Sequence, residues 1–238
     1  MIDLTITPPL RRETVRSYVY RMLYDNIMSL HLTPGTAMSE QEVADLLKTS
    51  RTPVREAIIH LGQDRLLDIL PQRGTFVSRL HTQMIREARF MRIVLEEAVM
   101  KEACVHFPQE GLKKLHQILE RQKEMAESGN KWAFFQADND FHEAVFSGCG
   151  RPHIWQTLMK ASLDYSRARM LNTFVEPKNI PMSVHEDMLK AIESHQQEQA
   201  ACLVRQHMTQ SGNGHSYIDA ALSRLFCVKN GILNHKSG

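Results

Sequence analysis

The chain has 238 residues, of which 42% are hydrophobic and 24% are charged, and its formal net charge is +2. This length suffices for two domains of ordinary size, and a charge so close to zero neither indicates nor excludes a nucleic-acid partner. The four cysteines form no C-x-x-C pair, no apolar run approaches the roughly 18 residues of a membrane span, and the N-terminus has no signal-peptide pattern. We therefore expect a soluble cytoplasmic protein with no cysteine zinc site and no membrane partner.

The first predicted element is a flexible lead over residues 1–13, which contain several polar residues and two prolines. An amphipathic helix follows from about Thr14 to Leu30, because apolar residues recur there at helical spacing. Pro34 and Gly35 end this region, since proline and glycine together break a helix and form a turn.

Two short helices separated by a tight turn come next. Ser39 and Glu42 have the S-x-x-E spacing of a capping box, in which each side chain satisfies a backbone donor at a helix start. After a turn at residues 48–50, Thr52 is expected to cap the second helix, with Pro53 at its first position. The buried stripe of this second helix is predicted to be Val54, Ala57, Ile58 and Leu61.

The start of the second helix carries the residues expected to contact DNA. The run S-R-T-P-V-R-E-A begins at Ser50, and it places Arg51, Thr52 and Arg55 near the end of a recognition helix that reaches base edges in a major groove. Two arginines there can bind guanine bidentately. Residues 48–79 hold six basic side chains against three acidic ones, which concentrates positive charge in this region.

A short hairpin is predicted directly after these helices. Residues 67–70 and 75–77 are β-prone runs around a turn that contains Arg73 and Gly74. An arginine on a tight turn of this kind is well shaped to enter a minor groove or to contact a phosphate. The alternative is a surface arginine on an ordinary hairpin. Together, residues 14–80 have the plan of a winged helix-turn-helix domain.

Beyond the hairpin, helical periodicity runs almost without interruption from about residue 82 to residue 226. We predict a mainly α protein whose second domain, residues 81–227, is an antiparallel all-α bundle of six or seven helices. The last residues, 228–238, are polar and without periodicity, which predicts a flexible tail. The breaks between helices are predicted at residues 107–108, 128–130, 148–152, 176–181 and 212–214.

The bundle contains a candidate metal site. Asp138 and His142 are four residues apart and therefore share one face of a helix, while His185 and His207 fall on two further helices. One carboxylate and three imidazoles from three helices can converge on a divalent transition metal, Zn²⁺, Ni²⁺, Mn²⁺ or Fe²⁺ rather than Cu(I). The alternative is four unrelated histidine and aspartate positions, since the chain has twelve histidines.

These motifs resemble those of the GntR family of bacterial transcription regulators. The S-R-T-P-V-R-E-A run at residues 50–57 and the R-G-T-F-V wing at residues 73–77 are similar to its DNA-binding domain. The C-terminal part resembles the all-helical effector (FCD) domain of the FadR-type subfamily, with R-x-x-L-E at residues 92–96, D-x-x-F-H at residues 138–142 and two histidines 22 residues apart.

The resemblance implies a specific set of functional residues and partners. In its metal-binding branch the ligands correspond to Asp138, His142, His185 and His207, with zinc or nickel the expected ions. The resemblance also implies a homodimer on a palindromic operator and a small organic acid bound beside the metal, with Arg92 lining the effector cavity. The alternative for Arg92 is a salt bridge with a nearby glutamate. For Arg167 and Arg169 the same two roles are open, binding the effector or forming a salt bridge.

One position departs from the family pattern. Many relatives have arginine after the glutamate that opens the second helix of the motif, whereas this chain has Gln41 after Glu40. A contact with a phosphate or base is therefore in doubt at this position, and the operator preference is expected to differ.

We therefore predict a nucleoid-associated DNA-binding regulator, acting as a repressor, whose operator affinity is controlled by a carboxylate metabolite at the metal site. Two alternatives stay open: a metal-responsive DNA-binding protein without an organic effector, and a metalloenzyme with a DNA-docking domain. The enzyme is disfavoured because Glu143, the obvious candidate for a general base, lies one residue off the ligand face of its helix. The expectation is that the protein is not an enzyme.

Overall fold

The structure is a computed structural model that describes residues 2–175 and 182–210. Within these residues, no helix is both long enough and apolar enough to cross a membrane. The chain divides into two compact units. Of the described residues, the first contains 2–86 together with 159–167 and the second contains the others, so the division after residue 86 falls inside a helix, a few residues beyond the predicted boundary at residue 80.

The first unit contains the winged helix-turn-helix. Its elements are α1 (Val15–Met28), β1 (Ala37–Met38), α2 (Glu40–Leu46), α3 (Arg51–Gln63), β2 (Leu67–Leu70) and β3 (Gly74–Val77). The Ser39 hydroxyl caps α2 by accepting the Glu42 N–H at 3.1 Å, as the capping-box spacing predicts. The buried residues of α3 are the four apolar residues predicted for it, whereas α1 also buries the polar Asn26 among the apolar residues of its inward face.

The wing is a three-stranded antiparallel sheet in the order β1-β3-β2. The two longer strands match the predicted hairpin, with Leu67 opposite Val77. The short strand β1 is an addition to the predicted hairpin. It places Ala37 opposite Phe76 on the free edge of β3, and so covers part of that edge.

Residues 2–13 contain neither helix nor strand, but their first part is anchored, unlike the flexible lead predicted there. Ile2 and Leu4 are buried. Thr5 N–H donates to Asn26 Oδ1 at 2.8 Å, and the Asn26 amide donates back to the Thr5 carbonyl at 3.0 Å. The Ile2 N–H donates to Glu42 Oε1 at 2.6 Å. Burial of two apolar side chains and a two-way bond to a buried amide hold the segment against α1.

The described part of the chain after the wing contains seven helices, which confirms the mainly α class. They are α4 (Thr82–Val105), α5 (Gln109–Glu127), α6 (Lys131–Gly148), α7 (Pro152–Ala161), α8 (Leu163–Val175), α9 (Met182–Glu193) and α10 (Gln197–Gln210). The first three predicted breaks fall between α4 and α5, α5 and α6, and α6 and α7. The breaks predicted at residues 176–181 and 212–214 and the tail at 228–238 lie outside the described residues.

Short connections set the arrangement around the predicted metal site. Three residues or fewer join α5 to α6 and α9 to α10, and each of these pairs is in contact, so the partners run antiparallel. Helix α5 also contacts α9. The inward faces of α6, α9 and α10 therefore share one interior, to which α5 contributes from the side.

Candidate functional site

All six residues predicted to contact DNA lie in the first unit and are exposed: Ser50, Arg51, Thr52, Arg55, Arg73 and Gly74. One local prediction is wrong, because α3 begins at Arg51 and its N-cap is Ser50 instead of Thr52. Pro53 therefore lies at the third helical position. Both arginines remain in the first two turns, where their side chains leave the N-terminal end of the helix.

Glu40 organises the two arginines of the recognition helix. Its carboxylate accepts from Arg55 Nε at 2.8 Å, from an Arg55 terminal nitrogen at 3.0 Å, and from an Arg51 terminal nitrogen at 3.1 Å. These bonds hold the two guanidinium groups side by side. The hydrogen bonds to Arg55 are the largest cause of a lowered pKa of the Glu40 carboxyl, with the bond from Arg51 acting in the same direction. Gln41, the departure from the family pattern, bonds Asp45 at 2.8 Å.

The wing tip presents Arg73 on a tight turn between β2 and β3. The Arg73 N–H donates to the Leu70 carbonyl at 3.0 Å. Gln72 and Gly74 on either side have φ values of 61° and 112°. The backbone at Gly74 lies in a region that side chains other than glycine rarely adopt, so glycine is needed to bring the chain back into β3.

The four predicted metal ligands meet in the interior of the second unit. Asp138 and His142 lie one turn apart on α6, with His185 on α9 and His207 on α10, and all four are buried. Their ligand atoms all lie within 4.8 Å of one another. Asp138 Oδ1 is 3.6 Å from His185 Nε2 and 3.8 Å from His207 Nε2, and Asp138 Oδ2 is 4.0 Å from His142 Nε2.

The donor set fits a divalent transition metal. The separations are too long for direct hydrogen bonds, but they approach those of ligands around one ion, since bonds of about 2.0–2.2 Å place ligand atoms roughly 3–4.4 Å apart. The Nε2 atoms of His142 and His185 are buried and make no hydrogen bond within the described chain. Each such orphan costs about 1–3 kcal/mol, and a metal ion would take up both lone pairs.

Two further side chains hold the rings of His142 and His185 at Nδ1, the nitrogen that does not face the cluster. Glu96 on α4 lies 2.7 Å from His142 Nδ1, and Gln122 Oε1 on α5 lies 3.0 Å from His185 Nδ1. Both are oxygen acceptors, so each Nδ1 carries the proton and each Nε2 offers its lone pair to the cluster. Outer carboxylates and carbonyls of this kind orient metal-binding histidines and raise their basicity.

The electrostatics keep the cluster in the protonation state that metal binding needs. Burial lowers the pKa of His185 to about 3 and that of His207 well below its usual value, so both rings are neutral at pH 7. Burial by itself would raise the pKa of Asp138, but Arg169 and the three histidines outweigh it and hold that pKa below its usual value. His185 and His207 therefore offer neutral imidazoles, and Asp138 offers an ionised carboxylate.

The three arginines considered for the effector have different surroundings. Arg92 is fully buried, and its Nε donates to Glu96 Oε1 at 2.6 Å, which matches the salt-bridge alternative. Arg169 donates to the Asp138 carboxylate. Arg167 does not bond to the cluster: it bonds to Ser78 and Asp164 within the first unit.

Sequence reasoning missed the roles of Glu96 and Gln122. Glu96 had one signal, because it closes the R-x-x-L-E run and stands four residues after Arg92 on the same helix. Gln122 had none: it is a polar residue in a polar helix, and only the packing of α5 against α9 brings it to His185.

The role of Gln122 can be tested by a change that keeps its volume. Gln122→Leu removes the acceptor at His185 Nδ1, and we expect a 10- to 100-fold reduction in Zn²⁺ affinity, the usual effect of removing an outer-shell partner. Competition titration against a chelator measures this reduction. Melting of the metal-free protein serves as the control, and equal Zn²⁺ affinity in the variant and the wild type would contradict the role.

Comparison with known proteins places both units. The family model "Bacterial regulatory proteins, gntR family" matches residues 16–77, and the FCD domain model matches residues 87–210. The Escherichia coli HTH-type transcriptional repressor RspR is 28% identical over 197 residues, covering 82% of this chain and 86% of the repressor. An HTH-type transcriptional regulator in an unstable DNA locus of Streptomyces ambofaciens is 30% identical over 201 residues, covering 82% of each chain.

Solved structures show the same fold. Escherichia coli McbR/YncC has a TM-score of 0.73 at 18% identity, covering 90% of this chain and 99% of that protein. A GntR regulator from a Rhodococcus species has a TM-score of 0.70 at 22% identity, covering 87% of this chain and 97% of that one.

A winged helix-turn-helix with an exposed arginine pair, joined in one chain to a helical domain with a buried polar cluster, defines a DNA-binding transcriptional regulator. The chain belongs to the GntR family of bacterial regulators, with an FCD domain after the DNA-binding domain. The families and relatives it matches are transcriptional regulators and not enzymes, which confirms the expectation on that point.

Proposed function

We propose that this regulator is a cytoplasmic homodimer that represses transcription from a palindromic operator, and that a small carboxylate bound at the metal centre releases it. The observation that carries this proposal is the buried cluster of Asp138, His142, His185 and His207. The similarity to a protein named as a repressor supports the sign of regulation. Zinc or nickel is the proposed ion, with manganese or iron as alternatives, because the donors are one carboxylate and three imidazoles.

The charge balance of the cluster favours an anionic effector. Its two carboxylates, Asp138 and Glu96, are matched by two guanidinium groups, Arg92 and Arg169, and a histidine that binds a metal does so as a neutral ring. A divalent ion would add two uncompensated positive charges to this interior, where charge is costly unless it is paired. A carboxylate ligand would restore the balance, and Arg92 and Arg169 are the side chains proposed to bind it.

In the proposed arrangement Arg92 is shared between Glu96 and the effector. Its guanidinium carbon lies 5.5 Å from the centre of the Trp155 ring, which fixes the plane of the group. Glu96 contacts both Arg92 and the Nδ1 atom of His142, a proposed metal ligand. A carboxylate that attracts Arg92 would therefore also change the contact between Glu96 and His142. Binding of the metal and binding of the carboxylate are thereby coupled.

Helix α8 carries residues of both units, so one continuous helix connects the metal cluster to the DNA-binding unit. Arg169 contacts Asp138, whereas Arg167, two residues earlier and about 200° around the helix, faces the opposite way. There Arg167 donates to the Ser78 carbonyl at 2.9 Å and to Asp164, whose other oxygen accepts the His81 N–H at 3.0 Å. Residues 78–81 join the wing to α4, so movement of α8 would reach this connection.

Replacing Arg167 by methionine is therefore expected to weaken the response to effector. Coupling between sites usually changes affinity 5- to 150-fold, and in Arg167→Met the effector-induced change in operator affinity should approach one-fold while Zn²⁺ affinity stays unchanged. Operator titrations with and without effector measure this. Arg151→Met, which removes an exposed arginine paired with Glu102, is the matched control. A full response in Arg167→Met would contradict the route.

The proposed function is tested in two steps. Footprinting on genomic fragments, including the protein's own promoter, defines an operator, and titrations of that operator then follow addition of Zn²⁺ and of a panel of small carboxylates. Release that needs both metal and a carboxylate supports the proposal. Release by metal alone would establish the metal-responsive alternative, and the absence of any sequence-selective footprint would refute both.

A further inference from the structure

The turn that precedes α1 carries two exposed arginines, Arg11 and Arg12, which pair with no carboxylate among the residues the structure describes. We infer that this turn is a second DNA-binding element, which contacts the phosphates that flank the bases contacted by α3. The inference rests on the DNA-binding role of the winged domain and assigns to the N-terminal segment a part in it.

The turn is held in place by several bonds. Arg21 on α1 donates to Thr7 Oγ1 at 2.8 Å, to the Pro8 carbonyl at 3.0 Å, and to both carboxylate oxygens of Glu13 at 2.7 and 2.8 Å. The Glu13 N–H donates to the Leu10 carbonyl at 3.0 Å, and Glu13 Oε2 accepts the Leu10 N–H at 2.9 Å. The segment is thus fixed on both sides of the two arginines.

The same bonds leave the turn with a net positive charge. Glu13 is the acid nearest to the arginines in the sequence, and Arg21 neutralises it. Hydrogen bonds from Arg21 are the largest cause of the lowered pKa of Glu13, about 2, so the pair stays ionised at neutral pH. Arg11 and Arg12 are therefore two uncompensated charges on a preformed turn. A preformed site loses less conformational entropy on binding than a mobile arm does.

The contacts between α1 and α3 place this turn beside the recognition helix. Arg16 lies 3.9 Å from Glu56, and one turn further along α1 the Tyr20 hydroxyl bonds Asp64 at 2.7 Å. The Tyr20 ring also packs against the His60 ring, with their centres 4.6 Å apart and their planes at 34°. Because residues 16 to 20 pair in order with residues 56 to 64, the two helices run in the same direction and their N-terminal ends lie at the same end of the domain.

The cationic turn lies at the N-terminal end of α1. Arg11 and Arg12 come shortly before its first residue, Val15, and Arg16 lies beside Glu56 in the first half of α3. The turn is therefore on the side of the domain that carries the N-terminal end of α3, the end proposed to enter the major groove. Arginines beside a groove-bound helix meet the phosphate backbone, which carries no sequence information.

The test is Arg11→Ala/Arg12→Ala, with affinity measured on the footprinted operator and on a random-sequence duplex over a range of salt concentrations. Each arginine–phosphate contact removed should lower the salt slope by about 0.9, about 8-fold in affinity at 0.1 M salt, so the loss of both should lower it by about 1.8. The reduction should be equal on both duplexes. Arg11→Lys/Arg12→Lys should restore the salt slope, because a phosphate binds the ammonium group of lysine as well as the two-pronged guanidinium group of arginine.

Matched variants make the outcomes distinct. Lys113→Ala/Lys114→Ala removes the same charge from α5 and should leave the slope unchanged. Phosphate-ethylation interference should lose its flanking signals in the Arg11→Ala/Arg12→Ala protein alone. An unchanged salt slope in that variant would overturn the inference, and so would an equal reduction in the lysine control. If the wild-type protein gives no sequence-selective footprint, the proposed function itself fails instead.

Discussion

Replacing Arg51 and Arg55 together by alanine is expected to lower operator affinity by about 30-fold to 10⁴-fold. Each bidentate contact between arginine and guanine is worth about 1–3 kcal/mol, so two are worth about 2–6 kcal/mol. Both side chains are exposed at the N-terminal end of α3, with 57% and 60% of their side-chain surface accessible, so no part of the fold depends on burying them. Fluorescence anisotropy on the footprinted operator measures the reduction in affinity.

The pairing with Glu40 changes this expectation little. The three hydrogen bonds that Glu40 accepts hold the arginines together in the free protein, but exposed ion pairs contribute only about 0–1 kcal/mol. Guanine acceptors can therefore replace or share them at small cost. The main effect of Glu40 is to reduce the number of conformations that the two guanidinium groups adopt before DNA arrives.

The comparison with a random-sequence duplex identifies the kind of contact that the two arginines make. Base contacts act on the specific complex, so Arg51→Ala/Arg55→Ala should reduce the ratio of specific to non-specific affinity as well as the affinity itself. Lys113→Ala/Lys114→Ala, with the same charge removed from the helical domain, should change neither. A variant whose affinity fell equally on both duplexes would show that the arginines contact only phosphates.

The sequence predicted the elements whose signals are local. The S-x-x-E spacing at Ser39 specified the start of α2, and helical periodicity specified the buried face of α3. It did not predict β1, because Ala37 and Met38 form a strand only by pairing with β3, a contact with residues some forty positions away. The lead at residues 2–13 was missed for the same reason, since its partners are Asn26 and Glu42.

The metal centre shows the same limit more sharply. Spacing on one helix is enough to place Asp138 next to His142, but it cannot show that α9 and α10 bring His185 and His207 to the same point. The family resemblance supplied that step. Neither spacing nor resemblance indicated Gln122, because its role depends on the packing of α5 against α9.

Removal of a single histidine ligand is expected to abolish the stabilisation of the helical domain by metal. At a Zn²⁺ concentration 100 times its dissociation constant, binding to the folded state should contribute about 2.7 kcal/mol. For a domain of this size that corresponds to a rise in Tm of roughly 5–11 °C. His142→Ala and His185→Ala should each show no such rise, since removing a ligand should cost more than the 10- to 100-fold effect of removing an outer partner.

The metal-free baseline separates a defect in binding from a defect in folding. In the wild type the buried Nε2 atoms of His142 and His185 have no hydrogen bond within the described chain, so truncating either ring removes an orphaned polar atom and offsets part of the cost of the cavity it leaves. Each variant should therefore fold without metal but fail to respond to it. His153→Ala, which removes an exposed imidazole from α7, should keep the full rise in Tm. A full rise in His142→Ala or His185→Ala would show that the ion binds elsewhere.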